Sequence, residues 1–311
     1  MKIDVKNFDS WDVSSKFSEG SGRSEKKWLE KNGTIGLFKF PKKSCGVETY
    51  EHVSEKLASD IAEKIGLRCA KVDIGTYNGR IGSMSYLVMD YPKESLVEGL
   101  DFITFLYPEY DSNKLIDNKS GRMYSFEMAI QTIKEFANIH AMYPDKLISD
   151  FVKILVFDFL IGNSDRHHSN WGFVYNMNFS SVPEFERHKF LPKIAPIYDN
   201  GSSLCAIERE ENIKTILKDL NRLKAICTTK SKTIFRSEDG QKLTHQQFLD
   251  DIFENKRVNS HFPKKICSNL TDATILNILN NYDNIISEER KNLIYNFLRT
   301  KVRMLEKYVK G

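Results

Sequence analysis

The apolar positions of this 311-residue chain change their period partway along it. Between residues 12 and 90 short alternating runs dominate. Thr34-Ile35-Gly36-Leu37-Phe38-Lys39-Phe40 reads as a strand stopped by Pro41, and strand-like runs follow at Lys71 to Tyr77 and Met84 to Asp90. One helical stretch interrupts them: from Val47 onward Tyr50, Val53, Leu57, Ile61 and Ile65 recur at helical spacing, and Gly66 stands where a C-terminal cap glycine sits. After Pro92 the period is helical. Phe126, Ala129, Ile130, Ile133, Phe136 and Ala137 keep one register, and Ile148, Phe151, Val152, Leu155, Phe159 and Leu160 keep another. Short strands at Trp171 to Asn176 and near Lys189 to Ile197 break the helices. Beyond residue 207 helices resume, ending in a run from the N-cap candidate Ser287 to Val309. The pattern predicts an α+β, two-lobed architecture: a small β-rich lobe over residues 1–91, a larger mainly α-helical lobe over residues 92–311, and a hinge near residues 89 to 99.

Composition narrows the class without naming a function. Hydrophobic residues make up 41% of the chain and aromatics 12%, enough for a packed globule of this length. Lys and Arg outnumber Asp and Glu by 46 to 42, an excess too small to point to direct nucleic-acid binding. Five cysteines are scattered with no C-x-x-C spacing, which argues against a disulfide framework or a zinc knuckle and for a reducing cytoplasm. No stretch reaches the roughly 18 apolar residues of a membrane span, so no membrane association is expected.

Against this background one segment stands out. Leu160 to Tyr175 places Asp165-Arg166-His167-His168-Ser169-Asn170 between an apolar helical run and an apolar strand-like run. Asp165 and Asn170 stand in the D-x-x-x-x-N relation of a kinase catalytic loop, in which the aspartate receives a hydroxyl proton and the asparagine holds magnesium. Further on, Ala195-Pro196-Ile197-Tyr198-Asp199-Asn200-Gly201 ends an apolar strand on an acid before a glycine, a placement that suits a second magnesium ligand.

Phosphate chemistry asks for cations and open backbone upstream. Gly20-Ser21-Gly22, followed by Arg23 and Ser24, forms a turn whose N–H groups could cradle phosphate oxygens. It matches neither the Walker pattern nor G-x-G-x-x-G, and alone it reads as a solvent turn. Lys39 shares a strand face with Leu37, opposite Phe38 and Phe40, so it either meets an anion or blunts an edge. Glu48, Glu51, Glu55 and Glu63 on the following helix are its candidate partners, with Glu55 preferred. The order of these pieces carries more weight than any one of them: glycine loop, strand lysine, helix glutamate, hinge, D-x-x-x-x-N, strand-end aspartate.

Gly162-Asn163-Ser164-Asp165-Arg166-His167-His168-Ser169-Asn170, with Pro196-Ile197-Tyr198-Asp199, resembles the HipA-like serine/threonine kinases, which carry a G-[NA]-x-D-x-H-x-x-N loop and a P-x-Y-D metal motif. The likeness extends to Leu37-Phe38-Lys39-Phe40-Pro41, to Glu55 and to the hinge Val88-Met89-Asp90-Tyr91, and covers roughly residues 15 to 310. The resemblance implies a bilobal protein-kinase-like fold using ATP and Mg²⁺. Asp165 would be the catalytic aspartate, and Asn170 and Asp199 the metal ligands. His167 and Tyr198 would lie at the nucleotide site, Lys39 on phosphate, and backbone groups of Met89 and Tyr91 on adenine. It implies a protein substrate with a Ser or Thr acceptor and a cognate antitoxin or inhibitor. It also makes Ser21 a candidate autophosphorylation site, while Glu19 stands where the family often has serine. The layout is similar to that of free-standing, cell-translocating members.

Three rival readings remain open at this point. Asp165, His167 and His168 could form a two-histidine, one-carboxylate metal site, which leaves Lys39 without a role. Asp-Arg-His-x-x-Asn also resembles the loop of phosphoinositide kinases, so a small-molecule or lipid acceptor is the closer alternative. A non-catalytic binding protein would not need Lys39, Asp165, Asn170 and Asp199 together. The basic, hydroxyl-rich segment Thr228 to Thr233 reads as a solvated loop.

Overall fold

The computed structural model describes residues 2–18, 25–44, 46–178, 186, 190–237, 239–255 and 260–309. The glycine loop, with Glu19, Gly20, Ser21, Gly22, Arg23 and Ser24, lies outside the described residues. The architecture is α+β and bilobal. A six-stranded sheet forms the small lobe, in the order Lys6–Asn7, Val72–Tyr77, Arg80–Tyr86, Thr34–Lys39, Lys26–Lys31, Asp12–Val13. Its first pair is parallel, and its remaining pairs are antiparallel. Alternation in Thr34–Lys39 turns Phe38 inward against Phe8, Leu29, Phe40 and Met84 and leaves Lys39 on the opposite face.

The Glu51–Lys64 helix packs beneath this sheet, yet Val53, Leu57, Ala58, Ile61 and Ala62 join the large hydrophobic core of the other lobe. A helix shared in this way fixes the lobes against each other. Two boundaries differ from the sequence reading. Val47–Glu48 pairs with Lys43–Ser44 as a short hairpin, so the helix starts at Glu51 rather than Val47. The last strand of the small sheet is Arg80–Tyr86 rather than Met84 to Asp90, because Asn78 and Gly79, both at positive φ, turn the chain into register with Tyr77 opposite Arg80. An Asn-Gly pair is the strongest short hairpin signal a sequence offers, and its two left-handed positions suit those residues.

Beyond the hinge, Glu94–Glu98 pairs with Gly172–Asn176, which pairs in turn with Lys193–Ile194. Of the strand expected near Lys189 to Ile197, Lys189 lies outside the described residues, and among the described ones the strand is Lys193–Ile194, continued by an isolated bridge between Cys69 and Ile197. The helices Phe126–Ile139, Asp145–Ile161 and Glu288–Glu306 contribute much of the large core. Ser287 caps the last of these, its Oγ accepting from the Arg290 N–H at 3.1 Å. A hairpin, Lys232–Arg236 with Lys242–Thr244, interrupts the helices expected beyond residue 207. It also corrects the solvated-loop reading of Thr228 to Thr233 in part: Thr229, Lys230 and Lys232 are exposed, but Ser231 and Thr233 are buried. Among the described residues no helix is long and apolar enough to cross a membrane, and Cys69, Cys205, Cys227 and Cys267 are free thiols.

Candidate active site

The loop from Gly162 to Asn170 begins where the buried Asp145–Ile161 helix ends. Gly162 closes that helix at φ 68°, and a Cβ there would stand 2.6 Å from Cζ of Phe297, so both the backbone and the space require glycine. Asn163 follows with its side chain turned back: Oδ1 accepts from the Asp165 N–H at 3.1 Å and Nδ2 donates to Asp158 Oδ1 at 3.0 Å. That local turn presents Asp165. Asn170 closes the loop by donating from Nδ2 to the Asp165 carbonyl at 2.7 Å, which leaves its Oδ1 as a remaining acceptor.

Arg166, which the sequence reading left without a role, is the hub. Its guanidinium is 1% exposed and forks onto Asp158, Nε to Oδ2 at 2.9 Å and an Nη to Oδ1 at 2.8 Å. The remaining N–H groups reach the carbonyls of Asn170 and Tyr198 and Oδ1 of Asn200 at 2.6 to 2.7 Å. One planar, permanently charged side chain therefore welds the 162–170 loop to the 196–201 loop. The signal in the sequence was Asp158, a lone acid inside an apolar helical run, which a buried cation would explain.

The second loop is held from below as well. Ala70 N–H donates to the Ile197 carbonyl and Ile197 N–H to the Arg68 carbonyl, which delivers Asp199 to the underside of the small lobe. Asp199 itself is left-handed at φ 57°, a conformation Asp tolerates better than most residues. Lys39 Nζ meets Asp199 Oδ1 at 2.9 Å and Glu55 Oε1 at 3.1 Å, while Glu55 Oε2 accepts the Asn200 N–H at 2.9 Å. The lysine, the helix glutamate and the strand-end aspartate singled out in sequence form one cluster. Burial alone would push the Lys39 ammonium down, but Asp199 and Glu55 outweigh it and hold it above its usual range. Burial likewise opposes ionisation of Asp199, and Lys39 reverses this, keeping the carboxyl well below the usual range. Glu55 is pushed up by burial, with Lys39 and the Asn200 N–H pulling against it.

The other expected residues fall around this cluster. His167 accepts the Ser169 N–H on Nδ1 at 3.2 Å and so braces the loop, and burial lowers its pKa. Asp165 is raised by burial, with His167 opposing and Asp199 adding to the shift. Tyr198 donates its hydroxyl to the Ser169 carbonyl at 3.1 Å, so its side chain joins the two loops. His168 is buried between Tyr110 and Tyr124 and bonds Ser112 and Ser169, a packing role. At the hinge the Tyr91 N–H donates to the Met89 carbonyl at 3.2 Å, and the Tyr91 ring lies 5.2 Å from that of Phe17. Among the described residues no group of three His, Cys, Asp or Glu side chains converges on a metal. The oxygens that Asn170 and Asp199 offer are few and hard, a set that fits Mg²⁺ completed by phosphates rather than zinc or iron.

This geometry has relatives. A curated serine/threonine-protein kinase, CtkA of Helicobacter pylori, is 26% identical over 252 residues, 78% of this chain and 69% of that protein. The crystal structure of the H. pylori proinflammatory kinase CtkA superposes with a TM-score of 0.78 at 22% identity, covering 99% of both chains. HipA of Shewanella oneidensis, solved with HipB and operator DNA, gives a TM-score of 0.50 at 15% identity over 96% of this chain and 67% of that one. These superpositions speak to the fold. The profile described as the HipA-like C-terminal domain matches residues 13–265, and with it the chain belongs to the HipA-like C-terminal domain family.

Proposed function

We propose that the chain is an ATP- and Mg²⁺-dependent serine/threonine protein kinase of the HipA-like type. The observation that carries this reading is Lys39 held between Glu55 and Asp199, which supports a fixed cation and a carboxylate suited to Mg²⁺ beside the loop that presents Asp165. In the reaction the acceptor hydroxyl oxygen bonds to the γ-phosphorus, the bond to the β–γ bridging oxygen breaks, and ADP leaves. The hydroxyl proton passes to the Asp165 carboxylate, since Asn170 bonds the Asp165 backbone carbonyl and not its carboxylate. Lys39 orients phosphate oxygens, and its two carboxylates keep it charged and stationary. Asn170 and Asp199 would hold Mg²⁺, which, when bound, neutralises charge developing on the phosphates.

The partners follow from the same reading. The substrate is a protein with a Ser or Thr acceptor, Ser21 of this chain being one candidate, and an antitoxin-type inhibitor would correspond to HipB beside HipA. Asp165→Ala and Asp199→Ala should each abolish transfer of label from γ-labelled ATP to protein while leaving the far-ultraviolet circular dichroism unchanged. Undiminished labelling by either variant refutes the assignment. Label arriving only in lipid or small-molecule fractions of a lysate would replace the protein acceptor with the alternative one.

A further inference from the structure

Asn163, whose side chain holds the Asp165 N–H, is also where a second polar chain ends. His245, first residue of the His245–Glu254 helix and 1% exposed, brings Nε2 within 3.0 Å of the Asn163 carbonyl. Its Nδ1 lies 3.0 Å from Ser231 Oγ, and Lys301 Nζ donates to that same Oγ at 2.8 Å. A carbonyl only accepts, so Nε2 carries the proton, Nδ1 accepts from the Ser231 hydroxyl, and Ser231 accepts from Lys301. The direction is thereby set along the whole chain, from the last long helix to the catalytic loop. Burial holds the His245 pKa down to about 3, which keeps the ring neutral and this tautomer available.

Lys301 is the unusual member. It is wholly buried, and its ammonium faces the rings of Phe159 and Phe297, at 4.3 and 5.5 Å from their centroids. The titratable groups near it are His245, through Ser231, and the thiols of Cys227 and Cys205. Burial pushes both thiols up and so keeps them neutral. Among the described residues no carboxylate pairs with Lys301, and burial lowers its pKa to about 7. A buried amine without a counter-charge costs stability that an alkyl side chain of the same length would not. The chain that Lys301 feeds leads to Asn163, whose Oδ1 holds the Asp165 N–H.

We propose that Lys301, Ser231 and His245 are positioning residues for the catalytic loop: their hydrogen bonds fix the Asn163 peptide, and Asn163 fixes the backbone of Asp165. The word catalytic rests on the kinase reading; the positioning does not. Hydrogen exchange of the segment 160–170 tests it directly in the full chain, comparing wild type with Lys301→Met, Ser231→Ala and Ser231→Thr.

Exchange in that segment should rise at least about threefold in Lys301→Met and Ser231→Ala while the rest of the chain is unchanged. Ser231→Thr, which keeps the hydroxyl, should restore protection. The melting temperature of Lys301→Met should equal or exceed that of wild type, since an apolar isostere relieves the burial cost. Where the wild type transfers phosphate, kcat should fall about tenfold in both variants with the KM for ATP within about twofold. Unchanged loop exchange in both variants overturns the proposal, as does a uniform rise across the chain, which marks simple destabilisation. If Lys301→Met does not fold, the serine pair decides alone. A wild type with no phosphotransfer defeats the kinase reading, yet the exchange data still decide the relay.

Discussion

Lys39 is bound on two sides by carboxylates from different parts of the chain, and each of the three groups depends on the others for its charge state. Replacing it with methionine removes the cation proposed to orient phosphates and leaves Glu55 buried beside a neutral neighbour. Lys39→Met should lower phosphoryl transfer by at least about a hundredfold, measured as initial rate against ATP concentration, with the protein still folded. Arg166 poses the opposite case, since its contacts are with the protein's own loops. Arg166→Met strands the Asp158 carboxylate and three acceptor oxygens in the interior, and should cost about 3–5 kcal/mol in urea unfolding. Both residues were visible in the sequence, but only Lys39 stood out as needing a partner. A lysine between Leu37 and Phe40 conflicts with its strand, whereas Arg166 sits among polar neighbours where any contact is plausible.

At the scale of elements, the clearest boundary was Ser287. Its Oγ accepts from the Arg290 N–H and donates to Glu210 Oε2 at 3.0 Å, so it caps the Glu288–Glu306 helix and ties it to the Glu210–Lys218 helix. Ser287→Ala should cost about 1 kcal/mol by thermal or denaturant unfolding, with phosphotransfer unaffected at a temperature well below the melt. The hairpin Lys232–Arg236 and Lys242–Thr244 was not visible. Its alternation lasts only five residues, and its polar inward positions, Ser231 and Thr233, read as loop chemistry. Polar side chains turn inward only where a partner waits: Thr233 Oγ1 accepts the Phe235 N–H, while Ser231 depends on His245 and, far along the chain, Lys301. The displaced start of the Glu51–Lys64 helix has a similar cause. Val47 fits the helical period, yet it is taken by pairing with Ser44.

At the scale of the whole molecule, Lys301 links stability to pH with a definite sign. Folding lowers Lys301 from 10.5 to about 7. Between those values the unfolded chain holds a proton there that the folded chain lacks, so stability rises with pH through the window. Below about pH 7 both states are protonated, and this group contributes no further slope. The full shift corresponds to something on the order of 5 kcal/mol. The thiols of Cys205 and Cys227 titrate with the opposite sign as pH rises, so the measurement is a difference. Unfolding free energy of wild type minus that of Lys301→Met should climb between pH 7 and pH 9. A flat difference would mean that Lys301 is not buried as an amine.

The two-lobed order of elements, the helical registers and the succession of Lys39, Glu55, Asp165, Asn170 and Asp199 follow from the sequence by itself. Hydrophobic period and the spacing within one loop are local properties, and a short segment is enough to express them. What the tertiary structure decided is which groups are buried together. Asp158 joins Arg166, Tyr198 and Asn200, and Lys301 reaches the 162–170 loop through Ser231, His245 and Asn163. A polar residue bears the cost of leaving water only when its partner is present in space. Residue type shows that a cost exists, and the fold alone shows which group offsets it.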